Sequence, residues 1–126
     1  MFNGIIFHSG LIKKIIKRKN GINLFINSSI KFSKKDIGIS ISCDGVCLTL
    51  VDINNKIIEF YLSNETLNRS KFSKSKINDL VNLEKPLKFG SQISGHITQG
   101  HVDCVAKILS IKKVDKSFLF EFVVKP

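Results

Sequence analysis

The chain starts to repeat itself near its end, and this constrains the fold more than any local pattern. Shifting the sequence by 96 positions lays Gly4-Ile5-Ile6 on Gly100-His101-Val102 without a gap. Ile12 then falls on Ile108 and Ile15 on Ile111, while Ile22, Leu24 and Ile26 fall on Phe118, Phe120 and Phe122. Few residues are identical, but the apolar positions coincide, as expected of a duplicated structural unit. The first unit is expected to span residues 1–96, and the second, residues 97–126, ends after about two strands. Two strands cannot close a sheet and leave unpaired edges. One complete domain followed by a truncated second copy is the expected organisation.

Within the first unit, apolar residues recur with period two between turn signals. Ile22, Leu24 and Ile26 alternate with Asn23, Phe25 and Asn27, the pattern of a half-buried strand. Ile37 to Ser42 alternates again. Asp44-Gly45 is a turn dipeptide that leads into an apolar strand from Val46 to Val51. Asn54-Asn55 marks a second turn before Ile57 to Leu62, and Leu80 to Leu83 is a shorter strand ahead of Pro86. One brief helix is expected, capped by Ser63 or Asn64, with Glu65 in its first turn and its end near Ser70. Lys71 to Asn78 is polar and is expected to be a loop. Short strands, frequent turns and one helix predict a small all-β Greek-key barrel.

The formal charge of +10 invites a nucleic-acid reading. The kind of basic residue argues against it: only Arg18 and Arg69 are arginines and the other eighteen are lysines, whereas base and phosphate recognition favours the forked guanidinium. No segment approaches the ~18 apolar residues of a membrane span. The Met1-Phe2-Asn3-Gly4 opening lacks a basic segment followed by an apolar core, so a cytoplasmic protein without a signal peptide is expected. In that compartment Cys43, Cys47 and Cys104 are expected to be free thiols. The Cys43/Cys47 and His96/His101 spacings each suit zinc, but 48 residues separate the two pairs and a turn intervenes between the cysteines. No metal is expected.

His101 stands out as a general acid or base, with glycines before it and Asp103 two residues on, on the same face of an extended strand. Cys47 and Thr49 share a face of their strand, where a thiol and a hydroxyl could point together into a barrel mouth.

Several segments resemble the riboflavin synthase alpha-chain family, to which lumazine-binding proteins are related. Met1-Phe2-Asn3-Gly4-Ile5-Ile6 is similar to the family opening Met-Phe-Thr-Gly-Ile-Val, and Asp44-Gly45-Val46-Cys47-Leu48-Thr49 to Asn-Gly-Val-Cys-Leu-Thr. Glu65-Thr66-Leu67, Val81-Asn82-Leu83-Glu84 and the Gly95-His96 to Gly100-His101-Val102-Asp103 junction resemble three further motifs, in family order. Asn3, Asp44, Asn64 and Gln99 depart from the usual Thr, Asn, Pro and Ser.

The resemblance implies two similar six-stranded barrels, a trimer in full-length relatives, and a site shared between barrels of neighbouring subunits. It implies the dismutation of two 6,7-dimethyl-8-ribityllumazine molecules to riboflavin and a ribitylamino-pyrimidinedione, without cofactor or metal. The implied binding residues are Gly4, Ile5 and Ile6; Cys47, Leu48 and Thr49; Tyr61, Leu62, Ser63, Asn64, Glu65 and Thr66; and Gly100, His101 and Val102. The acidic 7-methyl group of the lumazine needs a base or nucleophile, for which His101 and Cys47 are the candidates, their roles unassigned. A chain that stops early in its second copy is expected to bind a lumazine or riboflavin, to turn over poorly alone, and to self-associate through its apolar stump. A non-catalytic lumazine or flavin carrier is the alternative.

Overall fold

The computed structural model describes residues 1–124. Its strands are β1 (His8–Arg18), β2 (Gly21–Ser28), β3 (Ser40–Cys43), β4 (Val46–Asn54), β5 (Ile57–Ser63), β6 (Leu80–Glu84), β7 (Ala106–Val114) and β8 (Ser117–Val124). A single α-helix, α1 (Asn64–Arg69), follows β5. The first six strands close a barrel in the order β1-β2-β5-β4-β3-β6, with every neighbouring pair antiparallel. Closure leaves this sheet without an edge. The expected six-stranded barrel with one short helix is what forms. Among the described residues, no helix is long and apolar enough to cross a membrane.

The period-two pattern fills the barrel. Leu24, Ile26, Ile41, Leu48, Leu50, Ile58, Phe60, Leu62 and Leu83 all point inward and are essentially inaccessible. Each such side chain contributes about 1.5–3 kcal/mol on burial. Ile12 and Ile15 also reach this core although they lie three positions apart, because a β-bulge between Ile12 and Lys14 inserts one residue and restores the inward face.

Two expectations shift. The segment from Ile37 to Ser42 becomes a strand only from Ser40, because Gly38 adopts φ +92 and bends the chain. The polar stretch Lys71–Asn78 contains a 3-10 turn at Lys71–Lys74 whose Phe72 is buried in the core. The helix has the expected cap: Ser63 Oγ accepts the Thr66 backbone N–H at 3.2 Å.

Beyond the barrel, β7 and β8 form a separate two-stranded sheet. Its register is that of β1 and β2 displaced by 96: Ile12 pairs with Ile26 and Ile108 with Phe122, and Ile15 pairs with Leu24 and Ile111 with Phe120. The bulge recurs between Ile108 and Ser110. Glycines 4 and 100, also 96 apart, adopt φ +75 and +79. Phe2 and Thr98, again 96 apart, pair antiparallel through reciprocal N–H···O=C bonds of 2.8 and 2.9 Å. A local two-fold relation therefore runs between these two residues.

Candidate functional site

β4 and α1 form one wall of a groove, and the junction segment 99–102 forms the other. The junction is pinned where the Cys47 N–H donates to the Gly100 carbonyl at 2.8 Å. A Cβ on Gly100 would lie 2.8 Å from Cys47 Cβ, so only glycine allows this approach at φ +79. The groove has a volume of about 450 Å³ and lies among Cys47, Glu65, Thr66, Gly100, His101 and Val102. That volume is in the range of small-molecule sites.

Polarity changes across it. Val46 and Val102 present apolar surface beside the Gly100 backbone, while Glu65 and Thr66 present oxygens from α1 and the buried Ser70 closes the floor behind them. Helical spacing explains the second group, since residues 65, 66, 69 and 70 fall on adjoining positions one turn apart. Glu65 Oε1 is held 3.2 Å from Arg69 Nη2, and Ser70 Oγ donates to the Thr66 carbonyl at 2.6 Å. His101 Nε2 lies 3.6 Å from Asp103 Oδ1, the partner expected from sequence, with both side chains largely exposed.

A second cavity, of about 560 Å³, lies on the other side of the junction and shares Gln99, Gly100 and His101 with the first. Gly4 and Ile6 line this second cavity, together with Asp44, Asn82 and Glu84. Glu84 anchors the N-terminal segment, its carboxylate accepting the Asn3 N–H at 2.6 Å and the Gly4 N–H at 3.1 Å. The charge that Asp44 introduces is met by Lys71 Nζ at 2.6 Å, while its other oxygen accepts the Asn82 N–H at 2.8 Å.

The expected binding residues therefore divide. Cys47, Glu65, Thr66, Gly100, His101 and Val102 meet at one groove, whereas Gly4 and Ile6 face the other cavity and Ile5 packs near Gly95. Leu48 and Leu62 are core residues. Cys47 and Thr49 do share a face, but it is the outer face of the barrel, and Thr49 is not part of the groove lining. Tyr61 points to the β1–β2 turn, where its hydroxyl donates to the Asn20 carbonyl at 2.9 Å. Ser63 caps α1, and Asn64 is its first residue.

Val46, Arg69, Ser70 and Gln99 line the groove without having been expected there. Arg69 and Ser70 could have been found from their i+4 relation to Glu65 and Thr66. Of the cysteines, Cys43 is sealed in the core, and burial pushes its thiol well above the usual range; Cys47 and Cys104 are exposed.

A closed six-stranded barrel bearing a mixed apolar and polar groove beside a β4–α1 wall defines a small-molecule-binding barrel. The lumazine binding domain family matches residues 3–86, and the chain belongs to that family. It is 34% identical to a riboflavin synthase of Buchnera aphidicola subsp. Schizaphis graminum over 99% of this chain and 61% of that protein. The chain thus spans about three fifths of that relative's length. Its fold is similar to that of LumP complexed with 6,7-dimethyl-8-(1'-D-ribityl) lumazine, with a TM-score of 0.80 and 25% identity over 99% of this chain and 69% of that one. It is also similar to LumP complexed with flavin mononucleotide, with a TM-score of 0.73 and 29% identity over 89% of this chain and 63% of that one.

Proposed function

We propose that this chain binds 6,7-dimethyl-8-ribityllumazine and riboflavin in the groove between β4, α1 and residues 99–102, as the N-terminal part of a riboflavin synthase. The observation that carries this reading is the Cys47–Gly100 hydrogen bond, which brings Cys47, Thr66 and His101 to one cavity from three separate segments. A flat heterocycle needs the apolar surface of Val46 and Val102, and a ribityl chain needs oxygens such as those of Glu65 and Thr66. In the full reaction, two lumazines yield riboflavin and a ribitylamino-pyrimidinedione by transfer of a four-carbon unit. His101 or Cys47 would take the 7-methyl proton or attack the ring.

Residues 1–96 are then the first lumazine-binding barrel, and residues 97–126 the start of the second. Under the displacement of 96, Gly4-Ile5-Ile6 is the counterpart of Gly100-His101-Val102. Those three residues would line a second groove whose β4 equivalent would lie beyond residue 126. Residues 1–126 hold one such groove and one flank of another, and taken on their own are expected to bind without efficient turnover. Its unsheltered β7–β8 face pairs with a second copy in the isolated chain.

The test is a titration with riboflavin and with the lumazine, followed by ligand fluorescence, and then an assay for riboflavin formation. Saturable binding of both ligands with little turnover is expected. Absence of binding overturns the reading, and riboflavin formation at the rate of a full-length enzyme overturns the half-site account. A sedimentation mass of 14.2 kDa at high concentration would remove the pairing of copies.

A further inference from the structure

One carboxylate is tied to backbone far from it in the chain, and closure of the sheet does not require the tie. Glu84 ends β6 with its side chain on the outer face of the barrel, half-buried. Its Oε1 accepts the Asn3 N–H at 2.6 Å and its Oε2 the Gly4 N–H at 3.1 Å, from residues 81 and 80 positions earlier. Among the described residues it forms no ion pair, so these two N–H groups are what meets its charge. Bonds from an N–H to a carboxylate are short and about twice as strong as neutral ones. Two successive N–H groups converge on one anion here because Gly4 is left-handed, at φ +75.

The grip is passed on to the groove through paired backbone. Phe2 and Thr98 exchange N–H···O=C bonds of 2.8 and 2.9 Å, and Thr98 Oγ1 donates to the Phe2 carbonyl at 3.1 Å. The Asn3 carbonyl accepts the His96 N–H at 3.2 Å, and the segments run so close that a Cβ on Gly95 would collide with that carbonyl. Thr98 is two residues from Gly100, whose own carbonyl accepts the Cys47 N–H at 2.8 Å. Glu84 does not line the groove, but it lines the neighbouring cavity together with Gly4, Gly100 and His101. It therefore stands beside both of the segments that the displacement of 96 relates.

We propose that Glu84 is a positioning residue for the groove: by gripping the Asn3 and Gly4 N–H groups it holds residues 2–4, and through the Phe2–Thr98 pairing it fixes where Gly100, His101 and Val102 lie against Cys47. This rests on the binding reading above and adds to it a residue that acts on the ligand only through the junction. Loss of the carboxylate leaves two N–H groups without their acceptor. The N-terminal segment then loosens, Thr98 moves with it, and the groove opens at the Cys47–Gly100 contact.

The experiment compares the native chain with Glu84→Ala, Glu84→Gln and Ile58→Val by riboflavin fluorescence titration and by amide hydrogen exchange of the Cys47 N–H against the amides of β2. Glu84→Ala removes both oxygens, whereas Glu84→Gln keeps the side chain's size and one acceptor. Ile58→Val thins the core at a residue that lines neither cavity, and so controls for simple loss of stability. In Glu84→Ala the Cys47 amide should exchange about tenfold faster relative to β2, and riboflavin should bind about tenfold more weakly, the size of one charge-assisted bond. Glu84→Gln should recover part of both losses, and it carries the test if the alanine variant does not fold. Ile58→Val should move all amides together and leave the affinity unchanged. Native affinity in the Glu84 variants overturns the positioning role, and lost affinity with Cys47 protection kept overturns its route through the junction. If the native chain does not bind riboflavin, the binding reading falls, while the exchange data still show whether Glu84 holds the junction on Cys47.

Discussion

The β1–β2 and β7–β8 hairpins share register and bulge position residue for residue, yet one is part of a closed barrel and the other pairs with nothing else among the described residues. Ile12 is fully buried and Ile108 is half exposed; Leu24 is fully buried and Phe120 is 47% exposed. Pairing geometry thus follows from the hairpin's own sequence. Two isoleucines three apart on a strand of period two need one inserted residue to share a face, and the insertion comes at Lys13 in one hairpin and at Leu109 in the other. Burial follows from something else, namely the presence of partners. β1 has β6 and β2 has β5 on their outer edges, whereas β7 and β8 have none described.

The largest effect that can break this comparison is a truncation at matched positions. Leu24→Ala leaves a cavity in a sealed core and should cost about 2–5 kcal/mol in urea unfolding. Phe120→Ala, at the equivalent position, should change the unfolding free energy by less than about 0.5 kcal/mol at concentrations where the chain is monomeric. Comparable losses at both sites would mean that the hairpin is buried against something and unfolds with the barrel.

A smaller contrast sits at the two glycines. Gly100 has β4 against it and Gly4 does not: the nearest atom to a Cβ on Gly4 is Thr98 Oγ1, at 3.8 Å. Both have left-handed φ, so alanine at either costs about 1 kcal/mol of backbone strain. At Gly100 the clash with Cys47 adds to this, for a total of about 1–3 kcal/mol, and should also pull the junction off the groove. Thermal melts paired with riboflavin titration read the two effects. Gly100→Ala should lose affinity and melt earlier, whereas Gly4→Ala should melt slightly earlier with its affinity kept. Retained affinity in Gly100→Ala would show that the groove does not depend on the Cys47–Gly100 approach.

The glycines also show what could and could not be read from the chain. The barrel was legible because inward positions such as Ile22, Leu24 and Ile26 obey a local period, and the duplication was legible because that period recurs at a fixed offset. The break at Gly38 was less so, since glycine tolerates a strand and a bend alike and its φ of +92 depends on the surrounding fold. Continuous motifs misled for the site. In Cys47-Leu48-Thr49 successive side chains point to opposite faces, so the groove takes Cys47 and the core takes Leu48. Tyr61-Leu62-Ser63 divides in the same way among the turn, the core and the helix cap. That Gly4 and Ile6 line a different cavity from Cys47, Thr66 and Val102, with Gly100 and His101 reaching both, depends on the two-fold relation at Phe2 and Thr98, which no local pattern carries.

The finest contrast lies just past the bulge. Lys14 faces Phe25 across the barrel hairpin with its Nζ 5.6 Å from the ring centre, and at the matched position Ser110 Oγ donates to Glu121 at 2.6 Å. Both are solvent-facing cross-strand pairs, worth about 0.2–1 kcal/mol when the strands they join are part of the cooperative unit. Lys14→Ala should therefore lower the global unfolding free energy by about 0.5 kcal/mol. Ser110→Ala should leave global unfolding unmoved and only speed amide exchange in β7 and β8, because those strands open without the barrel. A two-stranded ribbon is marginal in water, so its amides should exchange far faster than those of β2 in the unmodified chain as well. Should Ser110→Ala instead shift the barrel's own melt, the hairpin's pairing would be coupled to the closed sheet, and its exposure would no longer mark it as awaiting a partner.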